Sequence, residues 1–116
     1  MISHPHRVLF VHIPKCGGQS VEHTFLNDLG LSWKNSAPLL LRPKMHSEKA
    51  PPRLAHLRVN EYVGNHYLSV ALFDDYFKFS VVRCPYRRVV SFYNYFGLAG
   101  KKPLDTFVQQ DLPGLL

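Results

Sequence analysis

Acidic residues are scarce in this chain: 8 Asp and Glu stand against 14 Lys and Arg in 116 residues, a formal net charge of +6. A field of that sign works against cationic partners and favours an anion, whether a nucleotide, a nucleic acid or an acidic polysaccharide. Cysteine is scarcer still. Cys16 and Cys84 are the only two, too few for a disulfide framework and without the CxxC spacing of a zinc site, so a reducing compartment fits. No run of eighteen apolar residues occurs, so no spanning helix is expected. The opening MISHPHRVLF also lacks the basic start and apolar stretch of a signal peptide. What is present is 46% hydrophobic and 19% charged, enough apolar material for a core and too little charge for a disordered chain. The length suits one domain or a piece of one.

The basic excess is local. Lys34, Arg42, Lys44, Lys49, Arg53 and Arg58 face the single acid Glu48 between residues 32 and 60. Prolines 38, 43, 51 and 52 break the same stretch, which reads as a long irregular segment over 31–55. Before it, RVLFVHI (7–13) is a short continuous apolar run, the signature of a buried parallel strand. Val21, Phe25 and Leu29 then recur every four residues ahead of Gly30, which predicts a helix over 18–29. Further on, 57–67 reads as a short helix and LSVALF (68–73) as a strand. Asp74 and Asp75 suit a turn, and Phe77 to Val82 a second apolar strand. Pro85 opens a helix with Val89, Val90, Tyr93 and Phe96 as its stripe and Gly97 as its stop. A last short helix is expected over 104–110.

Two strand-to-helix junctions carry chemistry. In Pro14-Lys15-Cys16-Gly17-Gly18-Gln19-Ser20 a lysine and two glycines lie between strand and helix. Glycines let backbone close around a phosphate, and the first helical turn offers unpaired N–H donors at the positive end of the dipole. Lys15 and the Ser20 hydroxyl can meet further anionic oxygens. The lysine precedes the glycines, the reverse of the GxxxxGK[ST] order, so nothing demands ATP or magnesium. At the second junction Arg83 ends a strand and Ser91 follows eight residues later on a helix, a pair able to hold a second phosphate.

VHIPKCGGQSVE (11–22) resembles the 5'-phosphosulfate loop of sulfotransferases that use 3'-phosphoadenosine 5'-phosphosulfate (PAPS), in their carbohydrate and heparan-type branch. DYFKFSVVRCPYRRVVSFYNYF (75–96) resembles the 3'-phosphate motif of the same family, FVRxPxxRxxSxY. The resemblance implies an α/β fold with a P-loop-like parallel sheet flanked by helices, incomplete at this length. The chain would then be a single domain or the N-terminal portion of one. It implies that Lys15, Gly17, Gly18, Gln19 and Ser20 bind the 5'-phosphosulfate, with Lys15 catalytic, and that Arg83 and Ser91 bind the 3'-phosphate. PAPS would be the co-substrate, with no metal. Cys16 and Cys84 depart from the family's more usual threonine and polar residue.

The acceptor hydroxyl needs a base, and histidine suits neutral pH. RLAHLRVNEY resembles a histidine-bearing segment that precedes the second motif in related enzymes, which makes His56 the expected base; Glu61, five residues on, either orients it or only decorates a helix. His12 is expected to pack or to bond loop backbone, and His46 to contact acceptor. The expected partner is a hydroxyl-bearing acceptor, in one version an acidic saccharide, with no nucleic acid and no membrane span. The simplest location is cytoplasmic, or the Golgi lumen for a fragment of an anchored enzyme. The rival readings are a P-loop-type nucleotide kinase or NTPase, which magnesium-dependent ATP binding would favour, and a non-catalytic basic module for acidic polysaccharide or nucleic acid.

Overall fold

The apolar run at 7–13 becomes a strand that is covered on both faces. In the computed structural model, which describes residues 1–115, strand β2 (Val8–Val11) is the middle of a three-stranded sheet in the order β1-β2-β3. It pairs antiparallel with β1 (Ile2–Ser3), Ile2 opposite Leu9, and parallel with β3 (Phe77–Ser80), Val8 opposite Phe77 and Val11 opposite Ser80. Side chains alternate along a strand. Leu9 therefore joins Ile2, Leu54, Leu57, Tyr62 and Leu68 on one face, while Phe10 joins Met1, Leu26 and Leu39 on the other.

Helix α1 (Gly18–Asp28) covers the Phe10 face, within one residue of the predicted span. Its innermost positions are Gly18, Glu22 and Leu26, one turn apart. The predicted stripe of Val21, Phe25 and Leu29 flanks that line, half-buried against the same cluster. Burying Leu26 completely stabilises the packing by about 2 kcal/mol. The other face is covered by a 3-10 turn, Leu54–His56, and by helix α2 (Val59–Gly64), which is shorter than the predicted 57–67.

The α/β class holds, but among the described residues the expected parallel sheet is reduced to the pair β2–β3, with an antiparallel strand beside it. The strand expected at 68–73 is instead helix α3 (Val70–Asp75), which also takes in the aspartates expected to make a turn. Ser69 decides it: its Oγ accepts from the Leu72 amide at 3.2 Å, an N-cap that favours helix over extended chain. The second strand stops at Ser80 rather than Val82 and is largely exposed.

The irregular segment is pinned rather than loose. Two 3-10 turns, Trp33–Asn35 and Ala37–Leu39, precede a bridge between Pro43 and Arg53. The Arg42 guanidinium donates to Glu48 at 2.7 Å, and the Tyr67 hydroxyl donates to the same carboxylate.

The chain divides into two compact units, Met1–Val81 and a second beginning at Val82. The second holds α4 (Pro85–Tyr95) and α5 (Leu104–Gln110), joined by a cluster of Phe92, Phe107 and Leu112. Phe92 carries the stripe of α4, with Val89 and Tyr93 beside it; Val90 and Phe96 are exposed, contrary to the predicted face. Gly97, at φ 65°, ends α4 as predicted. Among the described residues no helix is long and apolar enough to cross a membrane.

Candidate functional site

Parallel pairing of β2 and β3 makes the chain leave both strands at the same edge of the sheet. From β2 it enters the loop of Pro14, Lys15, Cys16 and Gly17. Lys15 (φ 60°) and Gly17 (φ 81°) both lie in the left-handed region. For Gly17 that costs little, whereas for Lys15 it costs about 1–2 kcal/mol, a strain that the surrounding fold must hold. Gly17 is the N-cap of α1, and no acidic residue stands in the first turn to compete with an anion.

The two glycines serve different needs. A Cβ at Gly17 would meet nothing, so only its backbone angle matters. Gly18 is needed for contact: a Cβ there would fall 2.7 Å from Cγ of His12, and nearer still to Cδ2 and Nε2. Gln19 and Ser20 follow, both exposed, in the first turn of α1. The five residues read from the sequence as the loop site, Lys15 and Gly17 to Ser20, thus surround one helix start.

His12, the residue after β2, is buried and bonds through Nδ1 to Oε1 of the buried Glu22 on α1. It was expected to pack or to bond backbone; it packs, and its partner is this carboxylate. His56 ends the 3-10 turn across from it, the two rings 5.0 Å apart. His56 is exposed, yet enough of its ring is screened that lost solvation lowers its pKa. The charge of His12 adds to the lowering, while Glu22 opposes it and Arg53 reinforces it weakly. Its neutral, proton-accepting form therefore persists below the ordinary histidine range.

Glu61 does not orient His56. Its Oε2 accepts from the Arg58 amide at 2.6 Å and so caps α2. The carboxylate nearest the histidine pair is Glu22, and the sequence signal for it was present: a lone acid at the same helical phase as Gly18 and Leu26. His12, Gln19, Trp33, Arg42, Arg53 and His56 line a cavity of about 410 Å³, inside the usual range for small-molecule sites of about 300–1,000 Å³. His46 is exposed in the irregular segment and does not line it.

In the second unit Arg83 precedes α4 and is exposed, while Ser91 is half-buried on α4 directly before Phe92. Arg88 lies over the Phe92 ring at 5.2 Å, a cation–π contact that makes it part of the packing of α4.

Comparison with known families matches the chain to a model of the sulfotransferase family over residues 1–106. No curated protein and no solved structure matches it.

Proposed function

Since the chain belongs to the sulfotransferase family, we propose that it transfers a sulfuryl group from PAPS to a hydroxyl of a carbohydrate or other alcohol. The observation that carries this is the loop Lys15–Gly18: left-handed backbone at Lys15 and Gly17 running directly into the N-terminus of an eleven-residue helix. Such a turn aims backbone N–H groups and a positive dipole end at one point, where an anionic group binds. The residues fit the 5'-phosphosulfate of the donor. Gly17 and Gly18 add no side chain, and Gln19 and Ser20 are exposed with polar groups to offer.

In this reading the acceptor oxygen attacks sulfur while its proton passes to a ring nitrogen of His56. The bond between sulfur and the bridging oxygen breaks, and 3'-phosphoadenosine 5'-phosphate leaves. The Lys15 ammonium offsets the charge that grows on that bridging oxygen, an interaction strongest in the transition state. The lowered pKa keeps His56 in its neutral form at neutral pH, with a ring nitrogen open to the acceptor proton. Arg83 and Ser91 take the 3'-phosphate by their match to the second motif. The cavity beside His56 takes the acceptor, and Arg53 on its wall suits an acidic saccharide.

The test is transfer of labelled sulfate from PAPS to a panel of saccharide acceptors by the intact chain and by Lys15→Ala and His56→Ala. The reading expects transfer that falls at least about a hundredfold in each variant. Transfer by Lys15→Ala at the unmutated rate would contradict it.

A further inference from the structure

The buried pair His12–Glu22 takes no part in the donor contacts assigned to Lys15 and to Gly17–Ser20, nor in the proton transfer assigned to His56. It is also costly. Removing a carboxylate and an imidazole from water costs several kcal/mol, and an apolar pair of similar volume would fill the space without that penalty. Glu22 lies between Gly18 and Leu26 on the innermost line of α1, where packing alone calls for a leucine. An ionisable pair kept at such a place, on the wall of a cavity, points to a functional role.

We propose that Glu22 and His12 form a positioning unit for His56, in which Glu22 holds the His12 imidazole through Nδ1 and the held ring packs between Gly18 and His56. The proposal rests on the reading of His56 as the base. Three contacts support it. The Nδ1 bond to Glu22 sets the orientation of the His12 ring. Gly18 stands against Cδ2, Nε2 and Cγ of that ring, so the start of α1 is seated on it. His56 lies 5.0 Å away with its ring tilted by 56°.

His56 needs such a wall. Its own element is a single 3-10 turn whose buried anchors, Leu54 and Leu57, hold the backbone, while the ring itself is exposed and faces His12. A base held loosely loses rate, because misplacement by about 1 Å can cost about a hundredfold. The ionisable groups that act on His56 are His12 from the end of β2, Glu22 from α1, Arg53 from its own segment and the amine of Met1. His12 and Glu22 thus touch or face both sides of the reaction: the loop assigned to the donor and the histidine assigned to the acceptor proton.

The experiment uses His12→Asn, whose amide keeps an N–H donor near the place of Nδ1, so Glu22 stays bonded while the ring is lost. Denaturant melts first establish that it is folded. Transfer from PAPS should then fall at least about tenfold in kcat while the donor KM stays within about threefold, the split expected of a misplaced base. The titration of the His56 imidazole, followed by NMR without any turnover, should move upward, since the screening by the His12 ring is lessened and its charge is removed. Glu22→Gln, whose amide oxygen can still accept from Nδ1–H, should retain more activity than Glu22→Ala. A folded His12→Asn with unchanged kcat and unchanged His56 titration would overturn the proposal. Failure of the parent reading shows elsewhere, in a His56→Ala variant that transfers sulfate normally.

Discussion

The Cα of Gly18 and the imidazole of His12 are in closer contact than any side chain at residue 18 would allow, a Cβ there falling 2.7 Å from Cγ of the ring. The ring cannot swing aside, because Glu22 holds it. Gly18→Ala should therefore destabilise the chain by about 1–3 kcal/mol in a urea melt. In a His12→Ala background the same change should cost clearly less, a coupling that a double-mutant cycle reads directly. Equal losses in the two backgrounds would contradict the contact.

The pH dependence of transfer follows from His56. Burial and the neighbouring charges lower its pKa below 6.5, so it remains unprotonated further into acid than an ordinary histidine. The acidic limb of kcat/KM should have its midpoint below pH 6.5. Stability carries the same sign: the folded state binds this proton less readily than the unfolded chain, so the contribution of His56 to stability is whole above pH 6.5 and is lost on acidification below it. His56→Gln should flatten that part of a stability profile taken between pH 7 and 5.

Glu48 sets a second, more acidic window. Hydrogen bonds from Arg42, the Tyr67 hydroxyl and the Met45 amide, in that order, lower its pKa to about 2 from 4.5. A depressed carboxylate contributes stability above its unfolded pKa and loses it as pH falls toward the folded value. Glu48→Gln should therefore weaken the chain near neutrality and remove some of the pH dependence between 4.5 and 2. Tyr67→Phe, which deletes one of the three donors, should move the Glu48 titration upward. A carboxyl titration of Glu48 by NMR that stays put would contradict the staple between Arg42 and Tyr67.

Lys15→Ala and Arg83→Ala should fail in different ways. The first should remove most turnover and leave part of the nucleotide affinity. The second should weaken binding of the 3'-phosphorylated nucleotide by about tenfold or more relative to its dephosphorylated analogue. Equal affinity of the unmutated chain for those two nucleotides would end the role proposed for Arg83 and Ser91.

Strong local signals were legible in the sequence. The run at 7–13, the Gly30 and Gly97 stops and Pro85 placed β2, α1 and α4 within a few residues, because each is set by neighbours in the chain. Strand β1 was not legible: Ile2–Ser3 is held by pairing with Val8–Leu9, a tertiary contact with no period of its own. LSVALF misled because a short apolar run does not distinguish strand from helix, and one serine hydroxyl tips it. In the site, the loop residues and His56 were found from their surroundings in sequence. Glu22 was missed, since a lone glutamate on a helix ordinarily faces water, and only the phase of Gly18 and Leu26 shows that this one does not. For Glu61, nearness in sequence left an orienting role and a merely helical one open, and the bond from the Arg58 amide three residues away shows that it caps α2.

The most direct test of a donor site built on the Lys15 loop is a calorimetric titration of the intact chain with 3'-phosphoadenosine 5'-phosphate, beside ADP and magnesium-ATP. The account predicts binding of the 3'-phosphorylated nucleotide in the micromolar range, several-fold weaker binding of ADP and no gain from magnesium. Binding of magnesium-ATP in preference to it, or no binding of any of the three, would contradict the account.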